Sequence, residues 1–91
     1  MNKKITLPAE EVKKAGATPG TLLFLVAEDG ELSVVRVNSF DEQKKQAQVE
    51  LIFTTLNDTN ELYNQELSYY LSATEARRNA VMLASYAIIT K

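Results

Sequence analysis

The feature that most constrains the fold is a pair of apolar runs, Leu22–Ala27 and Leu32–Val37, on either side of Asp29-Gly30. Asp-Gly between two apolar segments is typical of a tight β-hairpin. A two-residue loop predicts that Ala27 lies opposite Leu32 and sets the register of the whole hairpin.

In that register both faces of the hairpin are largely apolar. A hairpin with one solvent-exposed face alternates apolar and polar residues, so this hairpin is expected to be covered on both faces. The covering layer is either the second half of the chain or another copy of the protein. We therefore predict a homodimer built around the hairpin, with a dimer interface formed by Leu22, Phe24, Val26, Val35 and Val37.

The residues before the hairpin predict a short strand and a short helix. Ile5–Leu7 is a β-favouring run that ends at Pro8, and Ala9–Ala15 carries acidic residues early and lysines late, as the helix dipole prefers. Gly16 is a plausible helix end, and Pro19-Gly20 predicts a turn that leads into the hairpin.

The residues after the hairpin predict further strands and a final helix. Asn38–Gln46 is polar and is interpreted as an internal joint, and Ala47–Leu56 is predicted to be a strand. Leu62–Leu71 fits either a helix or a strand, and we favour a strand at its C-terminal end. Ser72, with Glu75 three residues later, predicts a capped helix. The apolar face of that helix is predicted to contain Ala76, Ala80, Leu83, Ala84, Ala87 and Ile88.

These elements predict an α+β fold with an N-terminal hairpin module, residues 1–38, and a second module, residues 39–91. The second module contributes strands and the amphipathic helix, and is expected to mediate dimerisation or hold a partner. The tyrosines Tyr63, Tyr69, Tyr70 and Tyr86 are interpreted as core residues, with stacking or interface contacts as the alternative.

Composition argues against catalysis. The 91 residues include no cysteine and no histidine, so thiolate nucleophiles and the commonest general base are absent. Asp58-Thr59-Asn60-Glu61 has oxygen ligands but lacks the glycine and spacing of a calcium loop. We therefore expect no catalytic residues, metal or cofactor. No export signal or membrane span is visible, so the expected location is the cytoplasm.

The first 37 residues resemble the swapped-hairpin DNA-binding domain of the AbrB and MazE families (SpoVT-AbrB type). The resemblance is one of spacing: Lys4 lies four residues before Pro8, followed by Gly16, by Pro19-Gly20 and by Asp29-Gly30. Such a domain implies two intertwined chains that bind duplex DNA. The upstream strand of that family is not expected in these residues, and Glu11 occupies a position that is usually apolar.

Lys3, Lys4, Lys13 and Lys14 are the candidate DNA-binding residues, because lysines contact phosphates. The alternative is that Glu10 pairs with Lys13 and Lys14 on a solvated helix face. The resulting hypothesis is a small bacterial transcriptional regulator or antitoxin that acts as a homodimer on DNA, with a toxin as a possible protein partner. The alternative hypothesis is a protein–protein interaction or structural module with no nucleic-acid role.

Overall fold

The structure, a computed structural model, describes residues 3–58, 62–63 and 65–90, with side chains up to residue 85 in the last helix. It confirms the α+β fold class. One antiparallel sheet has the strand order β1-β4-β3-β2-β5. The elements are β1 (Lys3–Pro8), α1 (Ala9–Lys14), β2 (Leu22–Ala27), β3 (Leu32–Asp41), β4 (Gln46–Thr54), β5 (Leu67–Tyr70) and α2 (Ala73–Thr90).

The predicted hairpin is present as β2 and β3, but its register was predicted wrongly by one residue. Val26, not Ala27, lies opposite Leu32. The Ala27 N–H donates to the Glu31 carbonyl at 2.9 Å, so the loop has three residues and ends at Gly30 with φ +90°. A left-handed glycine closing a three-residue loop is a common hairpin geometry.

The polar stretch 38–46 forms the end of β3, a turn and the first residue of β4. β3 continues to Asp41, and a four-residue turn leads directly into β4 at Gln46. Asp41 stabilises this turn, because its Oδ1 accepts hydrogen bonds from the backbone N–H groups of Gln43 and Lys44, each at 3.1 Å. The proposed boundary at residues 38 and 39 therefore falls inside one strand, and β4 lies between β1 and β3.

A first hydrophobic layer covers one face of this sheet, which we call the first face. Val12 of α1 is completely buried against it, and Leu56 and Leu62 from the connection between β4 and β5 complete the layer. Burial of these side chains supplies the main stabilising free energy of the sheet. The residues of the first face in this layer include Ile5, Leu7, Leu23, Leu25, Val35, Val37, Ala47, Val49 and Leu51.

The favoured strand in Leu62–Leu71 is confirmed, since β5 pairs with β2 at the edge of the sheet. Tyr69 packs against the first layer and Tyr70 against the residues under α2, each half-buried, whereas Tyr63 is 55% exposed. Residues 59–61 of the oxygen-rich loop lie outside the described residues, as does the side chain of Tyr86.

Helix α2 covers part of the opposite face, which we call the second face. The predicted cap is present, since the Glu75 N–H donates to Ser72 Oγ at 3.3 Å. Ala76 and Ala80 are buried against Val26. The predicted positions Ala87 and Ile88 lie outside the described side chains. None of the described helices is long and apolar enough to span a membrane.

Candidate interaction surface

The candidate lysines do not form one cluster. Lys3 and Lys4 begin β1, whereas Lys13 and Lys14 end α1, beyond the other end of that strand. The strand between them is about 17 Å long at about 3.3 Å per residue. Lys3 and Lys4 are also neighbours along a strand, so their side chains leave opposite faces of the sheet.

Lys13 and Lys14 are each paired with a carboxylate. Lys13 Nζ lies 2.9 Å from Glu42 Oε1 and 5.0 Å from the centre of the Phe40 ring. Lys14 Nζ lies 3.6 Å from Glu10 Oε1, one helical turn away. The Glu10 pairing expected from the sequence is therefore present for Lys14 only. Such exposed pairs contribute about 0–1 kcal/mol each, so a phosphate could compete for either lysine.

Two further lysines lie in the turn that contacts the start of α1. Lys44 and Lys45 lie in the turn between β3 and β4, and the Lys45 carbonyl accepts a hydrogen bond from the Ala9 N–H at 3.1 Å. Lys45 lines a surface cleft together with Lys13 and Lys14. We call Lys13, Lys14, Lys44 and Lys45 the lysine end. The sequence did not point to Lys44 and Lys45, because only the pairing of β1 with β4 brings their turn to α1.

The residues predicted for the dimer interface separate into two groups. Val35 and Val37 are fully buried in the first layer, and Val26 is buried under α2. Their apolar character is therefore explained within one chain, by the first hydrophobic layer and by α2. Leu22 and Phe24 lie on the second face, where Leu22 is 41% exposed and Phe24 is half-buried.

Part of the second face is left open beside α2. Phe53, Val34, Phe24 and Tyr70 lie opposite one another in a row across four strands. The helix packs on Phe24 and Tyr70, at one end of the row. At the other end Phe53 is 52% exposed, although large apolar side chains are usually buried.

The adjoining row of the second face is charged. Lys4, Glu50, Arg36 and Leu22 lie opposite one another on four strands. Arg36 Nη1 lies 3.9 Å from Glu50 Oε1. Alternating charges on neighbouring strands stabilise a sheet, which gives Lys4 a structural role. We call Leu22, Val34, Arg36, Glu50 and Phe53 the open face.

Helix α2 carries a second exposed apolar area. Val81 is 66% exposed and Met82 is 63% exposed, on the side of the helix turned away from Ala76 and Ala80. This area does not adjoin the charged row. Substitutions in it therefore provide a control of similar exposure for substitutions in the open face.

The described residues contain no group of three acidic side chains that could hold a metal ion. Comparison with protein-family models finds no match, and comparisons with curated proteins and with solved structures find no significant match.

Proposed function

We propose that this protein is a non-catalytic binding module that functions as a homodimer through the open face. The observation that carries the proposal is the row containing Phe53 and Val34, which α2 covers at one end only. Exposed apolar residues that adjoin one another on a regular surface are typical of protein interfaces.

A second copy suits the open face because the charged row contains both signs. Arg36 and Glu50 lie side by side, so a two-fold related copy can place each arginine against the partner's glutamate. A chain of 91 residues also buries only a modest core, and an interface adds buried apolar area. A stable interface of this kind buries about 800 Å² on each partner.

Sedimentation velocity over a wide range of concentration tests this proposal. We expect a dimer for the unaltered chain and a monomer when Leu22→Ser and Phe53→Ser are combined. The matched control combines Val81→Ser and Met82→Ser, which removes apolar side chains of similar exposure from α2. A monomeric unaltered chain, or equal dissociation by the two pairs of substitutions, would rule out the open face as the interface.

The second candidate function is DNA binding by a transcriptional regulator or an antitoxin. The lysine end supports it, because three of its lysines, Lys13 and Lys14 of α1 and Lys45 of the turn after β3, line one cleft. The resemblance to AbrB and MazE also supports it and suggests a toxin as partner. The AbrB-like dimer nevertheless stays a prediction, and β4 of the same chain already pairs with β1.

Binding of labelled duplex DNA at increasing salt concentration tests this second candidate. Each phosphate contact adds about 0.9 to the slope of log affinity against log salt. Lys13→Ala with Lys45→Ala should therefore lower the slope by about 2, whereas Lys4→Ala, in the charged row, should leave it unchanged. An absence of binding at low salt would exclude a DNA-binding role for the lysine end.

A further inference from the structure

A cavity of about 430 Å³ lies on the first face, away from the open face. Its walls are Glu11 of α1, the end of β1, the residues that precede β5, and β5 itself. The lining residues are Leu7, Pro8, Glu11, Leu62, Tyr63, Gln65, Glu66, Leu67 and Tyr69. This volume suits a small ligand or one long side chain.

The cavity combines an apolar base with negative charge. Leu7 and Leu62 are buried, and Leu67 is half-buried. Glu11 and Glu66 are the charged residues of the lining, and no lysine or arginine is among the described residues that line it. Within the described part of the chain neither carboxylate belongs to an ion pair, since the three pairs there involve Glu10, Glu42 and Glu50.

Two tyrosines add aromatic surface to the same walls. Tyr63 Oη accepts a hydrogen bond of 3.4 Å from the Thr6 N–H, which places this residue against edge strand β1. Tyr69 is half-buried, and its pKa is raised above the usual value of 10.0 by burial and then by the negative charge of Glu11. The field of Glu11 therefore reaches the Tyr69 phenol, and both belong to one negative environment.

We propose that this cavity binds an ammonium or guanidinium group carried on a short aliphatic chain. Carboxylates attract such a group, aromatic rings favour cations near their faces, and the leucines accept its methylene groups. Glu11 and Glu66 would repel an anion. Lys14 lines a neighbouring shallow depression, but its ammonium group pairs with Glu10. The Glu11 carboxylate therefore stays available to the ligand. The site does not depend on the proposed dimer.

Titration of the full chain with agmatine and with cadaverine, followed by NMR, tests the site. We expect saturable shifts at Leu62, Leu67 and Tyr69 for both amines. 1-Pentanol, which is neutral and of similar size, should bind about tenfold more weakly, since it lacks the charge that pairs with the two partly exposed carboxylates. A lysine-containing tripeptide with blocked termini distinguishes a peptide side chain from a free amine as the source of the cation.

Substitution of the two carboxylates gives the decisive comparison. Glu11→Gln and Glu66→Gln should each weaken amine binding about threefold, and together about tenfold, because each removes one partly exposed charge pair. Glu75→Gln is the matched control, since it removes an exposed carboxylate of α2 that does not line the cavity, and it should leave the affinity unchanged. All three residues are exposed, so the fold should persist.

Three results would overturn the proposal: equal binding of 1-pentanol, an equal effect of Glu75→Gln, or no saturable binding of either amine or of the tripeptide below about 10 mM. If the tripeptide binds and neither free amine does, a free amine is excluded as the ligand, and the cavity is assigned to a peptide side chain of the same charge.

Discussion

Gly30 ends the hairpin loop at the point where α2 passes over it. A Cβ at this position would lie 2.5 Å from the Ala80 carbonyl oxygen, 2.7 Å from the Ala84 N and 2.8 Å from the Ala84 Cβ. Two of these atoms belong to the helix backbone, so the contact cannot be relieved by a rotamer change. Gly30→Ala should therefore push α2 away from the second face.

The expected cost has two parts. Gly30 has φ +90°, and alanine in this left-handed region costs about 1 kcal/mol. Moving a packed helix by about 1 Å, to restore ordinary contact distances, adds about 1–3 kcal/mol of packing energy. The total is about 3 kcal/mol, a large fraction of the about 5–13 kcal/mol expected for a domain of this size.

Gly20→Ala provides the matched control. Gly20 has φ +93°, nearly the same backbone conformation, but a Cβ there would have no neighbour within 4 Å. It should therefore cost only the backbone strain of about 1 kcal/mol.

Urea unfolding measures both variants. With a slope of about 2 kcal/mol/M, the midpoint should fall by about 1.5 M for Gly30→Ala and about 0.5 M for Gly20→Ala. Equal losses would refute the close packing of α2 on the hairpin loop, because the two sites differ mainly in that contact.

Three further predictions concern other parts of the fold. Leu23→Ala, at a fully buried position, should lower the free energy of unfolding by about 2–5 kcal/mol. Leu22→Ala, on the other face, should lower it by under about 1 kcal/mol. Similar losses for the two variants in urea unfolding would contradict the assignment of the two faces. Ser72→Ala removes the cap of α2 and should cost about 1 kcal/mol, measured by thermal unfolding, where an unchanged midpoint would argue against the cap. Because the pKa of Tyr69 is raised in the folded state, the neutral phenol is favoured there; the associated stability is present below pH 10.0 and is lost as the pH rises through the raised pKa. Tyr69→Phe should therefore lose less stability than the unaltered chain above pH 10.0, and parallel pH profiles would refute this.

The candidate sites show where sequence reasoning stopped. Lys13 and Lys14 could be recognised as a basic pair from the helix that contains them. Lys45 joins them only through the turn after β3, so no local pattern identified it. Phe53 was predicted to be part of a strand, but its exposure depends on its place opposite Val34 and beyond the reach of α2. The cavity beside Glu11 likewise requires Leu62 and Tyr69 to lie on the same face of the sheet.

The sequence by itself determined that the short first helix, the hairpin and the capped last helix form, and which residues begin or end the helices. Pro8, Gly16, Gly20 and Ser72 act on their own neighbours through backbone conformation and capping, so their effects can be inferred locally.

Only the tertiary structure decided the register of the hairpin, the strand order and what covers each face. A loop of two or three residues around Asp29-Gly30 leaves the same apolar runs but exchanges the partners of every residue. The pairing of β1 with β4 joins residues more than 35 positions apart, and its energy comes from burying both strands in one layer. The hairpin has two apolar faces because α1 and α2 cover opposite sides of the sheet, and that arrangement leaves the open face exposed.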